Sequence, residues 1–140
     1  MHQLTGWAQD LRVSADGDDV VALVGVMGLR MLADRSGLTQ AISTILIRPG
    51  FVPGHDRGRV LTDIACSIAA GGADIADIEA LRAQAQVLGP VASDTTALRA
   101  LGELTDRDLH RLDAVRADIR ARMWSLLPGG VPGLTVRRHP

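Results

Sequence analysis

"SDTTALR", residues 93–99, sets three hydroxyls and one guanidinium within two helical turns. Ser93, Thr95 and Thr96 can donate to or accept from base edges and phosphate oxygens. Arg99 is the member of the set able to grip guanine through two parallel bonds. Just downstream, Arg107, Arg111, Arg116 and Arg120 recur at spacings of four or five residues, and an arginine row of this kind can neutralise phosphates. The chemistry these types and spacings suit is recognition of nucleic acid.

Catalysis has no comparable set. The histidines (His2, His55, His110 and His139) are isolated, and none forms HExxH or a His/Cys ligand pair. There is no G-x-S-x-G elbow, Walker A loop or G-x-G-x-x-G. Cys66 is the single cysteine, which excludes an internal disulfide and a cysteine-based zinc cluster. The acids around Asp16-Gly17-Asp18 suggest calcium, but an EF-hand loop starting at Asp16 needs a carboxylate where Met27 stands. Asp74, Asp77 and Glu79 have duties as helix caps and solvated face. No catalytic residue and no metal ligand is assigned.

The elements that must position these side chains are helices. Leu23, Val26, Met27, Arg30 and Met31 follow helical spacing, and Gly37 after "DRS" stops that helix. Thr39 to Leu46 forms a second, short one. "RPGFVPGHDRG" is a loop, after which Asp56 caps a helix whose expected apolar stripe is Val60, Leu61, Ile64, Ala65 and Ile68. Gly71 and Gly72 end it, with Gly72 expected in the left-handed conformation. Asp74 caps the next helix, with Asp77 as its capping-box acid, and that helix fades by Leu88. After "GPVAS", Ser93 or Asp94 caps "TTALRALGEL". Thr105 opens a long final helix with Leu109, Leu112, Val115, Ile119, Met123 and Leu126 on one face; Arg107, Arg111 and Arg122 flank one edge of that face, Arg116 and Arg120 the other. The total is an all-α fold of about six helices, with a short strand or hairpin near Val13 and a three-residue hint of strand at residues 134–136. The organisation is an extension over 1–19, a helical domain over 20–127 and a Pro/Gly-rich tail over 128–140.

Two of these helices can pair as a helix-turn-helix. Ile75, Ile78 and Leu81 would then pack inward against Leu98 and Leu101, with "LGPVAS" as the turn. Thr95, Thr96 and Arg99 would face outward at the N-terminus of the second helix, where free N–H groups attract phosphate. Spacing alone leaves a plainer alternative open and favours it, namely two packed helices with Thr and Arg merely exposed to water.

Composition sets the outer limits. At 46% hydrophobic residues the chain can bury a core, and with Trp7, Phe51 and Trp124 as its aromatics that core must be aliphatic. The net charge of -1 opposes global attraction to nucleic acid. Its distribution is uneven: residues 1–106 hold eight Arg against thirteen acids, residues 107–140 seven Arg against three. The longest apolar run, Val20 to Leu29, is too short to span a bilayer, and no signal-peptide pattern opens the chain. A cytoplasmic protein without a membrane partner is expected.

The phrase "VLTDIACSIAAGGADIADIEALRAQAQVLGPVASDTTALRALGEL" resembles the N-terminal region of bacterial insertion-sequence transposases of the DDE type, in the group numbered 1380. "LRVSADGDDVVALVGVMGLRMLADRSGLTQAIS" and "HDRGRVLTDIA" resemble the opening of that family too, so the likeness spans residues from about 11 to 127. Two departures stand out: Thr95 replaces a family proline, and "LRAQAQ" replaces a stretch with an acid and a proline. The resemblance implies DNA as the partner, specifically the terminal inverted repeats of a mobile element. Thr95, Thr96 and Arg99 would read bases, Arg107, Arg111, Arg116 and Arg120 would hold phosphates, and Ser93 is a further DNA-binding candidate. The family's catalysis uses carboxylates holding divalent metal such as Mg²⁺, in a domain beyond this stretch. The chain is therefore expected to be a transposase fragment truncated before its catalytic domain, without cofactor or enzymatic activity. The alternative is a non-catalytic interaction module that pairs with itself or with full-length transposase.

Overall fold

A computed structural model describes residues 24–126. Seven α-helices and one 3-10 turn fill this span: α1 Val24–Arg35, α2 Leu38–Ile45, α3 Arg57–Ala69, a 3-10 turn Ile75–Asp77, α4 Ile78–Arg82, α5 Ala85–Leu88, α6 Asp94–Gly102 and α7 Asp106–Ser125. The all-α expectation holds. Among the described residues the extended pairing is a single bridge, Arg48 with Phe51, inside the loop before α3. The expected strand near Val13 and the hint at 134–136 lie outside the described residues.

The caps stand where local chemistry puts them. Asp56 accepts from the Arg59 N–H at 2.8 Å and starts α3. Asp74 and Asp77 form a reciprocal capping box around the 3-10 turn. Thr105 and Asp108 form another at the head of α7. Ser93, rather than Asp94, caps α6. The one expected helix between Asp74 and Leu88 divides into a 3-10 turn and two short pieces, so the count rises above six.

α3 is the axis of the fold, packed by α1, α2, α4 and α6. Its buried face differs from the expected stripe. Ala65 is exposed and Ile68 is 65% exposed, while Asp63, Cys66 and Ser67 are buried with Val60. The core cluster joins Val26 of α1, Val60 and Cys66 of α3, Ile78 and Leu81 of α4, Val91 and Ala92 of the turn, and Ala97 and Ala100 of α6. Small residues dominate its α6 side, which lets that helix lie close to α3.

Glycine enforces close approach at one point and a reversal at another. Gly58 sits in the first turn of α3 directly against α2, and a Cβ there would lie 2.5 Å from both the Ser43 nitrogen and the Thr39 carbonyl oxygen. At the end of α3, Gly71 carries the left-handed φ of +99°, not Gly72 as expected. Gly72 is needed for space instead: an added Cβ would stand 2.9 Å from the Ser67 carbonyl oxygen.

Gly58→Ala should therefore push α2 off α3 and cost about 1–3 kcal/mol, the range of an overpacked core. Gly54→Ala, where the added methyl meets no atom within 4 Å, is the matched control and should leave the melt within about 0.5 kcal/mol of the parent. Chemical denaturation of both variants checks this; equal midpoints would mean the α2–α3 contact is looser than described.

Candidate nucleic-acid interface

Of the two leucines of α6 expected inward, Leu98 points the other way, whereas Leu101 lines an apolar hollow with Ile64, Ile75 and Ile78. Leu98 is 59% exposed and Leu101 38%, whereas Ala97 and Ala100 are 0% and 2% exposed. The reason is close packing: α6 lies against α3 and the 3-10 turn, and only alanine-sized side chains fit between them. Leu98 is thereby turned onto the same outward surface as Thr95 and Arg99, both exposed, since neighbours three and four apart share a helix face. Thr96 is half-buried at its edge, bonded through its hydroxyl to Ser93 at 3.1 Å.

The N-terminus of α6 is not an open phosphate seat, contrary to expectation. The Asp94 N–H donates to Glu79 Oε1 at 3.3 Å, the Thr95 N–H to the Asp94 carboxylate, and the Thr96 N–H to Ser93 Oγ at 3.3 Å. Three of the four N–H groups a helix leaves free are thus occupied, and two carboxylates stand where an anion would come.

The opposite end of α6 gathers positive charge. Arg57 makes a forked pair with Glu103 at 2.7 and 2.8 Å, and Arg48 donates to the Glu103 carbonyl. The hydrogen bond from Arg57 chiefly holds the Glu103 carboxyl below its usual range, with Arg48 and Arg99 adding charge attraction. Arg57 thus pairs with the Glu103 carboxylate and Arg48 with its carbonyl, while Arg99 adds charge attraction without an ion pair. Arg48 also reaches Asp108 at 3.8 Å, which Arg111 approaches from its other side at 3.9 Å. The result is a basic ridge running from Arg99 through Arg48 to Arg111, with Arg107 one turn before Arg111. Arg99 and Arg107 enter no ion pair among the described residues.

Arg116 and Arg120 belong to a different surface. Five residues separate Arg111 from Arg116, about 140° around a helix, so the half-buried stripe of Leu112, Val115 and Ile119 lies between the two groups. Arg116 pairs with Asp113 at 3.0 Å, and Arg120 lies over Trp124 at 5.6 Å from the ring centre. Arg116 lines a wide apolar groove. Leu109 and Leu126, expected on the buried face of α7, are 49% and 73% exposed; α7 packs chiefly against α2.

Sequence reasoning missed Arg48 and Arg57, which meet the Glu103 carbonyl and carboxylate from 55 and 46 residues away, and a second cluster behind the site. Arg30 Nε stands 2.8 Å from Asp63 Oδ1, and Arg30 Nη2 donates to Asp63 Oδ2 at 3.3 Å. The other Arg30 nitrogen, Nη1, donates to the Leu88 carbonyl at the turn into α6. Beside this pair, Asp34 accepts from Arg59 at 2.9 Å and from Thr39 at 2.7 Å. Burial raises the Asp63 pKa to about 6 despite Arg30 beside it, and burial lowers that of Arg30. The apolar periodicity of α1 had marked Arg30 as inward-facing; nothing in the local pattern marked Asp63 as its partner.

Comparison with known protein families, characterised proteins and solved structures yields no match. Among the described residues no group of three or more His, Cys, Asp and Glu side chains is close enough to hold a metal ion. The divalent metal of the resembled family belongs to a catalytic domain and is given no ligands here. No described helix is long and apolar enough to cross a membrane.

The Arg30–Asp63 pair generates a pH prediction. Asp63 binds its proton more tightly in the folded chain (pKa about 6) than in the unfolded one (~3.9), so its contribution is fully present below about pH 4 and is lost as pH rises through about 6. Asp63→Asn should therefore gain stability relative to the parent between pH 4 and pH 8, on the order of the pKa difference. Arg30→Ala, which leaves a buried carboxylate unpaired, should cost about 3–5 kcal/mol near pH 8 and distinctly less near pH 5. Urea titrations at both pH values measure this; a pH-independent cost would show that Asp63 keeps its charge throughout.

Proposed function

We propose that this chain is the DNA-end recognition region of an insertion-sequence transposase of the DDE type, binding the terminal inverted repeats of its element and performing no strand chemistry itself. The resemblance of the sequence phrases quoted above to that family supports the reading. The observation that carries the binding mode is the juxtaposition of Thr95 and Arg99 on the outward face of α6 with the ridge of Arg48, Arg107 and Arg111. A surface of this form can insert a helix face between phosphates that the flanking arginines hold.

The roles divide by chemistry. Arg99, unpaired by any acid among the described residues, is the base reader, since its planar fork matches the two acceptors of guanine. Thr95 beside it offers a hydroxyl, and Leu98 offers an apolar surface suited to a thymine methyl. Arg48, Arg107 and Arg111 set register by contacting phosphates. Ser93 and Thr96 are cap residues that hold the helix start, and Arg116 and Arg120 take no part because they lie beyond the buried stripe of α7. Asp108 and the Glu103 carbonyl restrain Arg48, and Asp108 restrains Arg111, before DNA arrives, which reduces the side-chain entropy those two lose on binding.

Fluorescence anisotropy with terminal-repeat DNA and a shuffled control tests each role. Arg99→Ala should reduce discrimination between the two by about 1–3 kcal/mol with the fold intact. Arg48→Ala and Arg111→Ala should weaken binding to both DNAs alike and flatten the salt dependence. Arg116→Ala should bind like the parent. Undiminished selectivity in Arg99→Ala, or a loss in Arg116→Ala equal to that in Arg111→Ala, would contradict the assignment.

A further inference from the structure

The loop between α2 and α3 holds apolar side chains out in water. Ile47 is 72% exposed, Phe51 47% and Val52 93%. Phe51 is the single phenylalanine of the chain, yet the core cluster, built from aliphatic side chains and Cys66, does without it. The tip is also held firmly. Pro49 and Gly50 make a tight turn, closed by the Phe51 N–H donating to the Arg48 carbonyl at 3.2 Å. Gly50 supplies the positive φ of 75° that such a turn needs at its third residue. Pro53 restricts the chain again just past the tip. Against the Phe51 ring, the Arg57 guanidinium lies 5.6 Å from the centre, and its fork onto Glu103 fixes it there.

Charge limits what can face this tip. Residues 47–53 contain Arg48 and no acid. Arg48 and Phe51 border a hollow of about 100 Å³ that Ala100 and Glu103, at the end of α6, close from the other side. The two carboxylates lining that hollow are both engaged, Glu103 by Arg57 and Asp56 by the Arg59 N–H and the Ser43 hydroxyl. The tip therefore stands where α6 meets the basic ridge, with cations beside its apolar side chains. A matching surface is anionic outside and apolar within, which describes stacked bases between phosphates.

We infer that this loop is a wedge: Phe51 enters a base step of duplex DNA from the minor groove while Arg48 holds an adjoining phosphate, so that the bound duplex is kinked. The inference rests on the DNA reading above and adds that the partner is a duplex deformed at the site. Val52 beside the ring extends the apolar surface that replaces lost base stacking. The tight turn and the Arg57 backing keep the ring in place beforehand, which limits the ordering cost of insertion. Parting a base step is costly in an intact duplex and cheaper where pairing is already broken. A wedge protein should therefore favour a duplex with a local defect, whatever its sequence.

Two duplexes of one sequence test this by fluorescence anisotropy with the full chain, one fully paired and one carrying a single central T·T mismatch. The parent should bind the mismatched duplex about tenfold more tightly. A 2-aminopurine next to the mismatch should brighten as its stacking is lost. Phe51→Ala should abolish both the preference and the brightening while still binding paired DNA, and Phe51→Leu, which keeps an apolar wedge, should retain most of each. Phe51 lies outside the core cluster, so both variants should keep the parent's circular dichroism and melt. A parent that binds neither duplex overturns the inference together with the DNA reading. A parent that binds both duplexes equally, or a Phe51→Ala chain that keeps the preference, overturns the wedge and leaves the DNA reading standing. Phe51-dependent co-sedimentation with phosphatidylglycerol vesicles, without any mismatch preference, would put the tip on a lipid surface and overturn it equally.

Discussion

Arg30 holds the domain in register. Its guanidinium reaches three parts of the chain: α1, on which it sits, Asp63 in the middle of α3, and the Leu88 carbonyl just before the turn into α6. Removing two charges from water is costly, and their attraction offsets that cost only when the geometry is good. The pair is better understood as a constraint than as a source of stability. A sliding motion of α1 along α3, or a shift of the turn before α6, would strand a buried charge, so one arrangement is strongly preferred over its neighbours. The proposed reading surface on α6 is positioned through this contact.

The surroundings of the pair follow the same logic. Asp34 is shared by Arg59 and Thr39, Thr39 meets Thr62 at 3.3 Å, and Thr62 returns a bond to the Gly58 carbonyl. The α1–α2–α3 junction is thus a polar seam, and Gly58 brings the helices close enough to make it. The apolar core proper lies on the other side of α3, where alanines of α6 meet Ile78 and Leu81. Such a core is small, and small cores depend on fit. Fit is also what turns Leu98 outward, because a leucine between α6 and α3 would force them apart.

Two surfaces of different character result, separated by the half-buried stripe of α7. One is the ridge of Arg99, Arg48, Arg107 and Arg111, in which Asp108 holds Arg48 and Arg111. The other is apolar, comprising the outer face of α1 and the groove beside α7. α7 lies against α2 and leaves both of its edges available, so each edge takes the character of what lies next to it. Beside Arg48 that character is basic, and beside Leu29 and Leu32 it is greasy. The arginines of α7, which helical spacing already set on two edges, therefore belong to separate surfaces.

The sequence by itself determined whatever depends on neighbours a few residues apart. Caps at Asp56, Asp74, Ser93 and Thr105 were legible because capping is a bond across two or three residues. The helical class, the break at Gly71-Gly72 and the inward place of Arg30 were legible for the same reason. Tertiary structure alone decided which residue of α3 would answer Arg30, and that Arg48 and Arg57 would join Arg99 across nearly fifty residues. It also decided which face of α6 would be buried. Periodicity marked Leu98 as inward on hydrophobicity, but close packing of α6 on α3 buried Ala97 and Ala100 instead and left Leu98 exposed. Hydrophobicity is a property of a residue, whereas the space available to it is a property of the whole packing. For that reason the chain announced its helices but not the surfaces they present.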